Sequence, residues 1–336
     1  MTTSDSRLDE NPRIAVLGCG AIGGLLGFHL ARSNAQVTLI DQMHQVSALR
    51  ENGLQLISPA GEPQTTRNFA TGTPEEELPV FDFVILAVKA HQIHDTLSVL
   101  ERITHDATVI LTVQNGIPWW YFQIYDGEHS GRVLESVDAG GLIAQSVPAA
   151  RIVGCVAYPA AECVGPGVIQ HVEGNRFAVG ELSCETLPRT ELVGRILSDA
   201  GFKTYVIENI RDEIWLKAWG ALAFNPVGAL TATTMAGICR NGLSRELVIT
   251  MMREAEEIAR RLGVKMRVPL EKRLAGAEKV GEHKTSMLQD REANRKMEVG
   301  AILGSIVELA HVTSSSAPTL ENILALLTLL DDSLKG

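Results

Sequence analysis

The stretch Ile14-Ala15-Val16-Leu17-Gly18-Cys19-Gly20-Ala21-Ile22-Gly23, with Val37-Thr38-Leu39-Ile40-Asp41 behind it, decides the fold. A β-branched apolar run enters a G-x-G-x-x-G turn, a helix pattern follows, and a second apolar strand ends on an acid. That order is the dinucleotide-binding fingerprint, and each part has a mechanical role. Gly18 permits the tight turn, Gly20 lets backbone approach a pyrophosphate, and Gly23 lets the helix lie close to the strand. Cys19, Ala21 and Ile22 complete the turn, where the helix N-terminus offers N–H groups and partial positive charge to phosphates. Asp41 stands where an acid accepts from a ribose 2′-OH. The bland alternative is a glycine-rich strand-to-helix turn that holds nothing.

Outward from this unit the pattern repeats. Apolar strand-like runs at 83–88 and 109–113 flank a helical stretch at 91–102, which reads as βαβ units feeding a parallel sheet. Further strand candidates are 152–157, 168–172, 177–180 and 203–206, and Gly165-Pro166-Gly167 signals a turn before Val168. Beyond about residue 207 the texture changes to long helical patterns: 247–262 is amphipathic, 298–310 is helical, and Pro318 opens a last helix running to 334. The expected organisation is a flexible tail over 1–12, an α/β dinucleotide-binding domain over 13–207, and an all-α substrate and catalytic domain over 208–336. A substrate cleft is expected between the two domains.

Composition narrows the partners. Among 336 residues the formal net charge is −10, and no basic face stands out in the sequence, which argues against nucleic acid. No apolar run approaches the ~20 residues a membrane span needs. Cys19, Cys155, Cys163, Cys184 and Cys239 are odd in number and lack C-x-x-C spacing, so a reduced, cytoplasmic protein without a structural metal is expected.

Four segments could carry chemistry. Lys89, in Val88-Lys89-Ala90-His91-Gln92, closes an apolar strand at the sheet edge where ligands bind, although a solvated strand-end lysine looks the same. Asn115, in Gln114-Asn115-Gly116, follows the next strand, where Asn-Gly is also an ordinary turn. Lys217 lies in a strongly apolar helical stretch between Trp215 and Trp219, with Asn225 eight residues on and partly round toward the same face. A buried lysine is costly unless paired or used; a snorkelling lysine is the plainer reading. Ser286, in Lys284-Thr285-Ser286-Met287-Leu288-Gln289-Asp290, could simply cap a helix, and Glu298 could be a solvated helix residue. The aromatic run Trp119-Trp120-Tyr121-Phe122 reads as core packing, with an apolar wall beside a substrate as the alternative.

Taken together and in this order, these motifs resemble those of the ketopantoate reductase family, over about residues 13–334. The resemblance implies a Rossmann-type domain followed by a 6-phosphogluconate-dehydrogenase-like helical domain, and reduction of a 2-oxo acid to a 2-hydroxy acid by a nicotinamide cofactor. It implies that Lys217 is the catalytic lysine and Glu298 the catalytic or orienting acid. Lys89 and Asn115 match residues that contact cofactor and substrate, and Asn225 and Ser286 match substrate-binding positions. Two departures stand out. The family often carries Asn four residues after the lysine, where this chain has Ala221, which removes one polar contact and weakens the case for ketopantoate itself. Many members carry an arginine after the second strand for the NADP 2′-phosphate. Here Asp41-Gln42-Met43-His44 points to NAD(H) over NADP(H), although loop residues such as Arg50 could still reach a phosphate. The rival readings are an NAD-dependent D-2-hydroxy acid dehydrogenase of the same family, for branched or aromatic substrates, and a non-catalytic nucleotide sensor. A more remote one is a β-hydroxy acid dehydrogenase, against which Ser286-Met287-Leu288-Gln289-Asp290 speaks. The expected partners are a small 2-oxo or 2-hydroxy acid and a second copy in a homodimer.

Overall fold

The computed structural model describes residues 12–33, 35–59 and 61–334; residues 1–11 of the expected tail lie outside them. Its strands are β1 Arg13–Leu17, β2 Gln36–Ile40, β3 Leu54–Ile57, β4 Gln64–Thr66, β5 Ala70–Gly72, β6 Phe83–Leu86, β7 Val109–Thr112, β8 Ile152–Ala157, β9 Ala160–Gly165, β10 Val168–Glu173, β11 Arg176–Glu181 and β12 Lys203–Val206. Its helices are α1 Ala21–Arg32, α2 Met43–Asn52, α3 Leu97–Ile103, α4 Leu142–Ser146, α5 Pro188–Asp199, α6 Ile210–Thr231, α7 Met235–Arg240, α8 Gly242–Arg261, α9 Leu270–Val280, α10 Ser286–Glu292, α11 Ser305–Val312 and α12 Pro318–Asp332.

The chain divides into two compact units. Among the described residues, the first holds everything up to Gln114, together with Phe122–Gly131 and Leu142–Ile210; the second holds Asn115–Tyr121, Arg132–Gly141 and everything from Arg211 onward. Two short pieces of the N-terminal sequence therefore belong to the helical unit.

In the first unit an eight-stranded sheet runs in the order β12-β11-β8-β7-β6-β1-β2-β5. Neighbours from β5 through β8 are parallel, and β8 meets β11 antiparallel. Strand order reverses at β1, which pairs with β2 on one side and β6 on the other. In such open sheets the ligand crevice lies beyond the carboxyl ends of the strands at that reversal. Strands buried on both faces read as continuous apolar runs, and Phe83-Val84-Ile85-Leu86 is wholly buried. Burying each such side chain is worth about 1.5–3 kcal/mol relative to exposure.

A second sheet, ordered β4-β3-β10-β9, lies outside the sequence reading. It covers α1, where a Cβ on Gly24 would come within 2.6 Å of Ile169 Cδ1. The candidate strand at 168–172 pairs in this sheet rather than in the large one. The expected helix at 91–102 is two 3-10 turns, Ala90–Gln92 and His94–Thr96, followed by α3.

The second unit is helical, and α6, with 22 residues, is the longest helix among the described residues. Trp215 and Trp219 are fully buried on it; Trp215 Nε1 donates to Tyr121 Oη at 2.8 Å, and Trp219 Nε1 donates to the Met252 carbonyl at 2.7 Å. Trp119, Trp120 and Tyr121 are buried as well, in keeping with core packing. No helix among the described residues is long and apolar enough to cross a membrane. No group of three metal-ligating side chains occurs among them either.

Candidate active site

The glycine turn is built as the fingerprint requires. Gly18 sits at φ +97°, and a Cβ there would fall 2.7 Å from the Val88 backbone nitrogen. A Cβ on Gly23 would fall 1.8 Å from the Gly18 carbonyl oxygen, so helix and turn touch only because it is absent. Around Gly20 an added Cβ would meet nothing within 4 Å, which leaves the turn open to a ligand. Gly20 is the N-cap of α1 and has no side chain with which to cap the first-turn N–H groups of Ala21, Ile22 and Gly23. The turn is clamped between strand ends: Gly18 N–H donates to the Ile40 carbonyl at 2.9 Å, and Ala87 N–H to the Leu17 carbonyl at 2.8 Å.

Asp41 is drawn onto this turn. Its carboxylate accepts from Cys19 N–H at 2.5 Å and from Gln42 N–H at 2.7 Å. The Cys19 side chain is buried, and burial, with the Asp41 charge second, pushes its thiol well above the usual range. Cys19 therefore contributes backbone only, and alkylation of the native protein with iodoacetamide should modify exposed Cys184 while sparing Cys19. Equal labelling of the two would contradict that burial. Arg50 is committed elsewhere: its guanidinium grips both Glu76 oxygens at 3.0 and 2.9 Å and donates to Thr71 Oγ1 at 2.9 Å. Arg50, with the Thr73 N–H, holds Glu76 below the usual carboxylate range. Gln114 Nε2 donates to the Leu86 and Val88 carbonyls at 2.7 and 3.1 Å, and its buried Oε1 has no partner among the described residues. An orphaned acceptor beside the carboxyl ends of β6 and β7 suits a ligand that brings its own donor. Lys89 follows β6 half-buried, and its N–H donates to Gln92 Oε1 at 3.2 Å.

In the second unit three of the sequence candidates meet. Lys217 Nζ donates to Asn115 Oδ1 at 2.6 Å, and Asn115 Nδ2 donates to Glu298 Oε2 at 3.3 Å. An ammonium only donates and a carboxylate only accepts, so the two partners fix which way the amide faces. Glu298 is 8% exposed, hence buried rather than solvated, and the lysine is half-buried. Lys217, Ala221 and Asn225 are the half-buried stripe of an otherwise buried stretch of α6, at angles of about 0°, 40° and 80° around the axis. Ser286 is the exposed first residue of α10. The cap is Thr285, whose hydroxyl accepts from Leu288 N–H at 3.3 Å, so the plainer alternative for Ser286, a capping role, belongs to its neighbour.

Sequence reading missed what holds Asn115 here. The segment 300–304 is a π-helix, a form concentrated at functional sites. Its Ala301 carbonyl accepts from Ile117 N–H at 2.9 Å, and Gly116, at φ +79°, lies so close that a Cβ would sit 2.0 Å from that oxygen. Further along, the Glu308 carboxylate accepts from the N–H groups of Glu135 and Ser136 at 2.8 and 2.9 Å. The only signal in the sequence was the Asn-Gly pair itself.

A dinucleotide turn in one unit and a lysine–amide–carboxylate set in the other define a dinucleotide-dependent oxidoreductase. Two family profiles match the chain, Ketopantoate reductase PanE/ApbA over residues 14–183 and Ketopantoate reductase PanE/ApbA C terminal over 209–331. The chain belongs to the ketopantoate reductase family, whose members are NAD(P)-dependent oxidoreductases acting on CH–OH groups. It is 41% identical to a 2-dehydropantoate 2-reductase of Mesorhizobium japonicum over 315 residues, 94% of this chain and 96% of that one. Among solved structures, a Ralstonia solanacearum protein superposes with a TM-score of 0.90 at 30% identity, covering 96% and 98% of the two chains. The 2-dehydropantoate 2-reductase of Geobacter metallireducens gives 0.83 at 25%, covering 94% and 99%.

Proposed function

We propose that this chain reduces the ketone of a 2-oxo acid to a secondary alcohol, with NADH as the preferred reductant and Lys217 as the proton donor. The observation that carries this reading is the 2.6 Å bond from Lys217 Nζ to Asn115, itself bonded to buried Glu298. When bound, a reduced nicotinamide supplies the hydride to C2 of the substrate. As C2 gains that electron pair, the ketone oxygen becomes an alkoxide, and the Lys217 ammonium stabilises it and then protonates it. The amine left behind regains its proton from solvent. Asn115 and Glu298 keep the ammonium aimed and offset its charge in a partly dry setting. Asn225, on the same stripe of α6, and Ser286 are assigned to the substrate's polar groups, and Lys89 to its carboxylate or to the cofactor. Activity screening of 2-oxo acids with both reduced cofactors tests the reading; no oxidation of NADH or NADPH by any of them would overturn it.

The cofactor preference rests on Asp41 and Arg50. A 2′-phosphate at about 4 Å from the Asp41 carboxylate would be repelled by up to about 4 kcal/mol at an effective dielectric of 20. Arg50 would have to leave Glu76 and Thr71 to compensate. The wild-type protein should therefore show a kcat/KM for NADH at least about tenfold above that for NADPH, one decade being about 1.4 kcal/mol. Asp41→Ala should narrow that ratio by a similar factor. A strong wild-type preference for NADPH would reverse the assignment of Asp41.

Ala221 favours a second reading of the substrate. It places a methyl group between Lys217 and Asn225 on the stripe, where an amide would have bonded a substrate hydroxyl. An apolar 2-oxo acid, branched or aromatic, loses nothing there, whereas ketopantoate loses a contact. Relative kcat/KM for ketopantoate and an aromatic 2-oxo acid separates the two readings.

A further inference from the structure

A cavity of about 440 Å³ opens in the first unit at the C-terminal end of α1. That volume is within the range of small-molecule sites. Helix α1 has 12 residues and spans about 18 Å, so the cavity lies at the opposite end of the helix from the glycine turn. Its walls combine two aromatic rings, Phe28 and Phe202, with an unusual set of basic groups: His29 and Arg32 from α1 and His171 from β10. Among the described residues, Asp199, at the end of α5, is the one acid lining it, and β3 and β4 contribute only the uncharged Leu56 and Gln64. Nothing in the reduction of a 2-oxo acid uses these groups.

The histidines are poised in a particular way. His171 Nε2 lies 2.6 Å from the Gly174 carbonyl, which can only accept, so that nitrogen carries a hydrogen. Neutral His171 therefore has a lone pair on Nδ1, and protonation turns that nitrogen into a second donor. The His29 ring packs on Phe202 with centroids 4.8 Å apart. With both histidines neutral, the formal charges of Arg32 and Asp199 cancel. Each protonation adds one positive charge and one donor, against the partial negative charge of the α1 C-terminus.

We propose that this cavity binds a small organic anion, a phosphate or carboxylate head on an apolar body, and that binding is coupled to proton uptake by His29 and His171. The head pairs with Arg32 and the two imidazolium groups, and the body packs on Phe28 and Phe202. Arg32 is already oriented by a hydrogen bond to Gln64 Oε1. Without a ligand, burial, and then the neighbouring charge of His171, lower the His29 pKa from 6.5. The unfolded chain then binds a proton that the folded chain resists, so stability contributed above that value is lost as pH falls through it. A bound anion favours the charged imidazolium of His29, opposes that lowering, and restores part of that stability.

Benzoate is the first probe, because its charge is constant across the range in which histidine titrates, about pH 5 to 8. Calorimetric titration of the full chain should show benzoate binding about tenfold tighter at the acid end of that range than at the alkaline end. The His29 imidazole resonances should titrate at higher pH on binding, and those of His171 should shift on addition of the anion. Arg32→Gln should weaken binding and Asp199→Asn should strengthen it, opposite signs that a damaged fold would not give. His171→Gln, which keeps a donor for the Gly174 carbonyl, should remove part of the pH dependence. Phenyl phosphate, compared with benzoate, identifies the favoured head group. The proposal fails if neither probe binds, if affinity is the same across the pH range, if Arg32→Gln and Asp199→Asn act in the same direction, or if the two imidazoles do not respond.

Discussion

Lys217→Ala lowers kcat by about 10²- to 10⁴-fold, the usual contribution of a positioned general acid, while cofactor affinity changes little. The prediction follows from where the ammonium is held. Lys217 is half-buried on α6 between two fully buried tryptophans, and its Nζ is fixed by Asn115. Removing the side chain leaves Trp215 and Trp219 in their hydrogen bonds to Tyr121 and Met252, so the helix keeps its packing. The loss should fall on the chemical step, since an alkoxide without a donor is the costly species, and less on substrate KM. Asn115→Ala should fall between the wild type and Lys217→Ala: the ammonium stays but its aim and its link to Glu298 are cut. Turnover, KM and cofactor binding by tryptophan quenching separate these effects. Near-wild-type turnover in Lys217→Ala would remove the lysine from the mechanism.

Local chemistry made one half of this legible and long-range pairing hid the other. The glycine turn and Asp41 could be read because strand, turn and helix are consecutive, and the structure joins them by the Cys19–Asp41 hydrogen bond. Lys217, Ala221 and Asn225 could be read as one stripe because they share helical spacing. Asn115 could be suspected but not placed, since its partners stand 102 and 183 residues away and no periodicity connects them. The second sheet escaped because β3 and β4 are strands of four and three residues, too short to show alternation, and β4 is Gln-Thr-Thr. At the start of α10, Thr285 and Ser286 are adjacent hydroxyls, and either could cap; only the extended backbone of Thr285, at φ −65° and ψ 155°, decides. The π-helix at 300–304 has no sequence period of its own, and Gly116 and Ser136, which pack closely against it, are far from it in the sequence.

Gly116→Ala is expected to disable the enzyme without touching a reacting group. Two costs add at this position. The residue sits at φ +79°, a left-handed conformation that costs an L-residue about 1–2 kcal/mol. The new Cβ would also stand 2.0 Å from the Ala301 carbonyl oxygen and 2.4 Å from its carbon, and backbone atoms cannot rotate out of the way as a side chain could. The loop must lift from the π-helix, breaking the Ile117-to-Ala301 hydrogen bond and carrying Asn115 away from Lys217 and Glu298. Gly131→Ala isolates the first cost: Gly131 has a similar φ of +73° but nothing within 4 Å of an added Cβ. That variant should lose only the conformational part of the stability and keep its turnover. Gly116→Ala should lose more stability and, assayed well below its melting temperature, at least about tenfold in kcat, since displacing a positioning group by about 1 Å can cost about 10² in rate. Equal losses of stability and turnover in the two variants would mean that the approach of Gly116 to Ala301 does not hold the lysine's partner in place.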